Sequence, residues 1–522
     1  MRRSTNRVAL LVVTLVATLL ASLFVLPELP ASADESHQVH PLSVVKPLAQ
    51  TGSFSGYSPD DLTSIYNLPT NRSAMGAGET VAVVNYGHYA GALDDLTTYR
   101  SRYDLPPLTP GQFTETGVDA AGNAVSPTSQ AIPAAPGEWV REIMLDVEMV
   151  SALCPACNIL LVDSMSTDSA DLSRAVKQAV AYNNHQANYV SLSVGASEWR
   201  TMQADSLGAF DDTNTIYVAA SGDCGFHTST DNGCDSSATS DPEWPAVMPN
   251  VVAAGGVTAN RYGSGWDVTA WSGAGSGCSQ YAPAPDFQLD IDGLSDVCSM
   301  RATSDVSAVA DRNTGVSIYY SGSWWIAGGT SAAAPQIAAM YALAGNHDDP
   351  FTVYDSADNP DDFTDVLHGT TLGCPLDRSA GMLCNAGVGW DGPSGIGYPN
   401  GVAGFATDDE VLGHYFVRHG QARVVGKTRA GRVVTAHLAP IHQDSANGLD
   451  ITNTAATDLQ WLRDGKPIKG ATGSTYKLTK RDVGSRISFT ATVTSATYTT
   501  PTGLVDFEAL TYTSKSTKPV KP

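Results

Sequence analysis

The sequence predicts an α/β fold, a parallel sheet with helices on both faces, followed by a small β-sandwich. Three observations carry this prediction. Short apolar runs bounded by glycine or polar residues recur from Val81 to Ala254. Helical patterns lie between several of these runs, as a sheet covered on both faces requires. After about Phe405 the pattern changes to alternating apolar and polar residues, the signature of half-buried strands.

The elements follow in chain order. Ser58 and Pro59 read as the cap and first residue of a helix starting near Tyr57. Val81–Val84 is a buried strand and Leu93–Tyr99 a helix. Trp139–Leu153 and Ala170–Tyr182 are helices. Ile159–Val162, Tyr189–Ser193, Ile216–Ala220 and Val251–Ala254 are further buried strands. The Gly/Ser-rich stretches around 262–277 and 321–330 read as loops or tight strand ends. In the C-terminal part, Arg432–Leu438, Asp458–Arg463 and Arg486–Val493 alternate, and Asp464-Gly465 signals a hairpin turn.

A chain of 522 residues has room for two or three domains. Arg2, Arg3 and Arg7, an apolar run from Val8 to Val25 and Ala31-Ser32-Ala33 read as an export signal over residues 1–33, cleaved before Asp34. The alternative is an uncleaved membrane anchor, since the run is long enough. Residues 34–54 read as a short flexible leader, 55–404 as the α/β domain, 411–513 as the sandwich and 514–522 as a flexible tail. The eight cysteines fall in neighbouring pairs, Cys154/Cys157, Cys224/Cys234, Cys278/Cys298 and Cys374/Cys384. An exported chain with an even count favours disulfides, and four local loops is the simplest connectivity. Cys154-Pro155-Ala156-Cys157 also fits a redox or zinc pair, but no second CxxC or His pair accompanies it.

The net charge of −23 is unevenly distributed. Residues 411–522 carry 15 Lys and Arg against 7 Asp and Glu, whereas residues 1–410 carry 15 against 46. The acidic body argues against nucleic acid, whose binding depends on neutralising phosphates. It also self-repels less once carboxylates protonate, which favours work in acid. The basic C-terminal module suits contact with an anionic surface such as a cell wall. A solvated spacer explains it equally well.

Gly328-Gly329-Thr330-Ser331-Ala332-Ala333-Ala334-Pro335 carries the chemistry. It sets one hydroxyl at a helix N-terminus, where N–H groups favour developing negative charge. The activating base lies elsewhere. The first strand ends Val83-Val84-Asn85, so a carboxylate for a Ser-His-Asp triad is missing, and His368-Gly369-Thr370 follows the serine rather than preceding it. Glu142 and Asp146 are four apart on the Trp139–Leu153 helix, hence on one face, among apolar neighbours. Two such carboxylates do not both ionise easily, and a pair sharing a proton can deprotonate a serine. Alone, this spacing also fits a solvated stripe.

The ordered set Glu142–Glu148, Ala152–Pro155, Ile159–Val162, Val190–Gly195, Ala220–Gly225, Asp305–Asp311 with Thr314-Gly315, and Gly328–Pro335 resembles the sedolisins, the serine-carboxyl peptidases. The resemblance runs from about Tyr57 to Gly401. It implies a subtilisin-like fold with Ser331 as nucleophile, Glu142 as general base, Asp146 holding Glu142, and a protonated Asp223 donating to the oxyanion. A turn cap is the other reading of Asp223. The resemblance further implies one structural Ca2+, with carboxylates from Asp365 and Asp391 and backbone carbonyls from Val366, Gly387 and Gly389. These ligands are all oxygen, as calcium prefers. The family's large folded propeptide has no counterpart within 34–54. The C-terminal module, on Trp461–Ile468, Gly470–Thr472 and Asp482–Gly484, resembles bacterial immunoglobulin-like modules. The expected protein is a secreted, acid-active, monomeric peptidase acting on proteins or peptides. The alternative is a catalytically idle relative that binds peptides or cell wall.

Overall fold

The computed structural model describes residues 37–47, 56–69, 75–182, 187–206, 208–230, 233–239, 242–263, 265–289, 291–347, 349–357, 359–375, 380–406, 408–412, 415–419, 423–437, 441–444, 456–493, 497–500, 503–506, 510–514 and 516–522. The export signal at 1–33 lies outside the described residues. Among the described residues no helix is long and apolar enough to cross a membrane.

A nine-stranded sheet forms the centre. Its order runs Gly265–Ala270, Val251–Tyr262, Ile216–Ala220, Tyr189–Leu192, Thr80–Tyr86, Asn158–Ser164, Phe113–Val118 and Ala124–Val125, and Val306–Val309 also pairs with Val251–Tyr262. The inner pairings are parallel, and the Gly265–Ala270 and Ala124–Val125 strands pair antiparallel. All the predicted buried strands therefore join one sheet. Their alternation explains why both faces need cover. Val81 and Val83 pack with the helices Gly137–Leu153 and Thr330–Ala344. Ala82 and Val84 pack on the other side with Leu172 and Val176 of helix Ser169–Ala181. The helix at Pro59–Ile65 has the predicted start, with Ser58 and Asp61 in a reciprocal capping box and Pro59 in the first turn.

The helix Thr330–Ala344, which carries Ser331 as the expected nucleophile, is buried from Thr330 to Leu343. Its alanines let it lie against the carboxylate helix Gly137–Leu153 and the sheet without steric bulk.

The stretch 321–330, expected as a loop or a tight strand end, is mostly strand. Ser323–Gly328 is a strand paired with Val316–Tyr320, because Trp324, Trp325 and Ile326 give it surface to bury. Tyr320 stacks on Trp325 with centroids 5.2 Å apart. Gly265–Ala270 is likewise a strand within 262–277. The four cysteine pairs form the four local disulfides.

The described part of the leader is also not loose chain. His40–Pro41 pairs with Val194–Ser197, and Val44–Pro47 pairs with Ser323–Gly328. Backbone pairing on both sides supplies what its weak hydrophobic pattern does not. The C-terminal region holds a three-stranded sheet (Arg423–Val425, Val433–His437, Thr475–Lys477) and a four-stranded one (Lys466–Pro467, Ala456–Arg463, Ile487–Val493, Leu510–Thr513). They share a core of Val434, Trp461, Leu478, Ile487, Phe489 and Ala491. Asp464 and Gly465 have φ of 49° and 74°, the left-handed pair a two-residue hairpin needs. The tail expected to be flexible is docked in its described part: Val520 is buried, and the Lys521 N–H donates to Thr428 O at 2.9 Å.

Candidate active site

Glu142 and Asp146 sit one turn apart on the carboxylate helix, and both are fully buried. The solvated-stripe reading therefore fails. Asp146 is held from two strands. Asn85 Nδ2 donates to its Oδ2 at 2.8 Å, and Ser193 Oγ donates to its Oδ1 at 2.6 Å. Burial raises the Asp146 pKa, and these two donors oppose the shift. Burial raises the Glu142 pKa well above its ordinary value as well, reinforced by the charge of Asp146. The Ser331 and Ser43 hydroxyls face Glu142 and favour its ionised form, yet neither Glu142 oxygen has a hydrogen bond of full geometry. An acceptor in that condition is ready to take a proton.

Ser331 lies in the first turn of the nucleophile helix, and its hydroxyl rests on Ser193 O at 3.4 Å. Pro335 has no N–H to give the Ser331 carbonyl four residues back. Ser193 Oγ reaches that carbonyl instead, at 3.1 Å. One hydroxyl hydrogen cannot serve both Asp146 and Ser331. A protonated Asp146 can donate to Ser193, which frees that hydroxyl for the Ser331 carbonyl.

Asp223 follows the sheet strand Ile216–Ala220 and points at the same helix start. Its Oδ1 accepts from the Thr330 N–H at 2.7 Å, while its shielded Oδ2 has no partner. Burial pushes its pKa up to about 7 against the Thr330 hydrogen bonds. Gly329 has φ 108°, and a Cβ there would meet Leu42 O at 2.2 Å and Asp223 Oδ2 at 2.5 Å. A peptide carbonyl and the free Asp223 oxygen thus converge where only glycine leaves room.

That carbonyl belongs to the chain's own leader. Leu42 N–H donates to Ser193 O at 3.3 Å, His40 is in register with Gly195, and Val44 is in register with Gly328. The segment passes beside the Gly329 turn, with one short strand paired on each side. The Leu42–Ser43 peptide bond lies between the two pairings. Gln38 to Ser43 also line a cleft of about 790 Å³ with Trp139 and Asp223.

The five residues of the expected calcium loop converge as well. Gly389 N–H donates to Asp365 Oδ2 at 2.8 Å, and Gly387 N–H donates to Asp391 Oδ2 at 2.9 Å. Burial, with Asp365 nearby, pushes Asp391 up to about 7. Asp365 Oδ1 is shielded and has no partner. Val366 is buried against Val257 and Ala270 and anchors the loop. His368 is exposed, and its carbonyl accepts from Ala270 N–H, which leaves it outside the serine's hydrogen bonds.

Sequence reasoning missed Asn85, Ser193 and Thr330 as supporting residues, and it missed the leader's place. The signal for Asn85 was present: a polar residue ending an otherwise apolar strand beside the site.

Comparison with known proteins adds the following. The subtilase family model matches residues 118–372. The solved Pseudomonas sedolisin (serine-carboxyl proteinase), complexed with two molecules of pseudo-iodotyrostatin, superposes with a TM-score of 0.56 at 24% identity, covering 67% of this chain and 96% of that one. The fold is subtilisin-like. Among curated proteins, this subtilisin-like chain is 26% identical over 384 residues to Sedolisin of Pseudomonas sp. (strain 101), covering 68% of this chain and 61% of that protein. It is 29% identical over 374 residues to Kumamolisin of Bacillus sp. (strain MN-32), covering 68% and 64%. The matches thus span less than two thirds of these relatives. The chain is thus similar to subtilases and to sedolisin-like proteins.

Proposed function

We propose that the chain is a sedolisin-type serine-carboxyl peptidase, secreted and active in acid, that hydrolyses peptide bonds through an acyl-enzyme on Ser331. The observation that carries this reading is the convergence of Ser331, Glu142, Asp146 and Asp223 around a peptide strand laid across the cleft. Glu142 takes the Ser331 proton as Oγ attacks the carbonyl carbon. Asp223, protonated below about 7, donates from Oδ2 to the oxygen as it becomes negative. Glu142 then returns the proton to the leaving amine, and water repeats the sequence to release the acyl group. Asp146 shares the burden of charge on Glu142. Leu42 O lies near the Gly329 turn and the Asp223 side chain, which supports reading Leu42–Ser43 as a scissile bond in a segment that blocks the cleft until it is cut or leaves.

Asp365 and Asp391 with backbone oxygens of Val366, Gly387 and Gly389 would hold one calcium ion. The all-oxygen set and the shielded, unpartnered Asp365 Oδ1 fit that ion, which would brace the loop structurally. The C-terminal β-rich region, read as an immunoglobulin-like module, would keep the enzyme near an anionic wall.

The test is peptide cleavage against pH for the wild type, Glu142→Ala and Ser331→Ala. Loss in both variants with an acidic optimum supports the reading. Full activity in Glu142→Ala at neutral pH overturns it, and a wild type that binds peptides without cleaving them turns the reading to an idle binding protein.

A further inference from the structure

A second group of chemistry-bearing side chains lies outside the catalytic set. Thr80–Tyr86 and Asn158–Ser164 run in parallel register, with Asn85 opposite Asp163. Asn85 serves Asp146, but Asp163 serves nothing in the catalytic set. Its side chain is fully buried, and neither carboxylate oxygen has a hydrogen-bond partner. Glu115, from the neighbouring strand Phe113–Val118, and His88, just past Tyr86, close around it. His88 Nδ1 lies 2.6 Å from Glu115 Oε1 and 3.6 Å from Asp163 Oδ2. One ligand atom from each residue falls within 4.8 Å of the others.

We propose that His88, Glu115 and Asp163 form a divalent-cation site separate from the calcium loop, taking Zn2+ or a similar first-row ion. One imidazole nitrogen with two carboxylates is a mixed donor set that suits such ions, whereas calcium prefers oxygen alone. Zn2+ bonds of about 2.0–2.1 Å place tetrahedral ligands roughly 3.3 Å apart; the 3.6 Å His88–Asp163 separation is close to this, and the 2.6 Å His88–Glu115 hydrogen bond would open to admit the ion. The His88 backbone is pinned, its N–H donating to Pro133 O at 2.8 Å and its carbonyl accepting from Ala135 N–H at 2.9 Å. That fixes which way the ring can reach. The His88 and Glu115 side chains are each 16% exposed, so the group has an open side for ion entry and a water ligand. Both burial and the charge of Glu115 push the Asp163 pKa up. A carboxylate so placed lacks positive charge, and a bound cation supplies it. The competing occupant is a proton, carried by His88 or shared between the carboxylates.

The experiment uses the full chain as Ser331→Ala, which removes self-digestion, with calcium in excess. Zn2+ is titrated by calorimetry at pH 7, and Co2+ absorption reports nitrogen-containing coordination. The expected result is one Zn2+ per chain, weakened about tenfold or more by His88→Gln and by Asp163→Asn, and unchanged by Asp365→Asn. Zn2+ should raise the melting temperature of the parent but not of Asp163→Asn. Should Asp163→Asn fail to fold, His88→Gln on the open side decides alone. Absence of Zn2+ binding, or the same stoichiometry and affinity in His88→Gln, overturns the proposal in favour of the proton. Neither outcome depends on whether the chain cleaves peptides.

Discussion

Two carboxylate pairs in this molecule meet opposite environments. Glu142 and Asp146 are side by side on one helix, fully buried, and supported mainly by side-chain hydroxyls and an amide. Asp365 and Asp391 come from two loops, and each is met by a backbone N–H from a glycine turn. Burial raises both pKa values of the first pair, which favours relieving its repulsion by holding a proton. The second has a shielded free oxygen and glycine turns that leave space for a cation. Proximity of acidic groups therefore does not define their chemistry. What decides is whether a proton or a metal is the cheaper way to remove charge.

The largest effects should come from the proton-holding pair and its serine. Ser331→Ala should lower kcat by about 10⁴-fold or more, leaving only what binding and the oxyanion donor provide. Glu142→Gln should cost about 10²–10⁴-fold, since the amide cannot accept the proton. In both variants, N-terminal sequencing should show the Leu42–Ser43 bond intact, whereas the active enzyme should begin at Ser43. An intact leader in fully active enzyme would break the link between leader and cleft.

Asp223 gives the next effect. Asp223→Ala should cost about 10²–10³-fold in kcat, the usual loss for one oxyanion donor. Asp223→Asn keeps a donor that does not titrate. It should therefore retain more activity and lose the fall in kcat/KM as pH rises through about 7. If the alkaline limb stays where it was, Asp223 is not the titrating donor.

Stability against pH sharpens the comparison from the other side. Glu142, Asp146, Asp223 and Asp391 all have folded pKa values raised by burial. Between about pH 4, where the unfolded chain ionises, and about pH 7, the folded protein holds more protons than the unfolded chain. Stability must then be present in acid and fall as pH rises through that window. Melting temperature without metal should be higher at pH 4 than at pH 7. At the proposed site calcium would bind the ionised form of Asp365 and Asp391, so it should restore stability chiefly at neutral pH. Chelation that lowers the melting temperature equally at both values would contradict this.

The architecture was legible because its signals are local. The runs at Val81, Ile159, Ile216 and Val251 are too short and too apolar for surface helices, and all became strands of one sheet. The site was legible only where residue types announce chemistry. Ser331 lies in a marked turn, and Glu142 and Asp146 share a helix face that periodicity alone specifies. Asn85 and Ser193 were not read as partners of Asp146, because their strands meet it through parallel pairing across long stretches of sequence. The leader carried still less signal. Its order comes from backbone hydrogen bonds to Val194–Ser197 and Ser323–Gly328, and these leave no mark on side-chain pattern. In the window 321–330 the glycines left loop and strand end undecided, whereas Trp324 and Trp325 give the strand surface to bury.

The smallest expected effect tests the supporting layer. Asn85 Nδ2 donates to Asp146 and so favours the carboxylate form. Asn85→Ala removes that donor and leaves Ser193 alone on Asp146. The Asp146 pKa should rise, so the Glu142–Asp146 pair should release the first of its two protons at higher pH. The acid limb of kcat/KM should move upward by about one pH unit or less, a factor of about ten at most. KM for a peptide substrate should stay the same, because Asn85 acts through Asp146. Asn85→Asp adds a third carboxylate to the buried group and should shift the limb further in the same direction. If both variants leave the acid limb in place, that limb belongs to Glu142 alone. Asp146 would then be a positioning residue and not a partner in holding the proton.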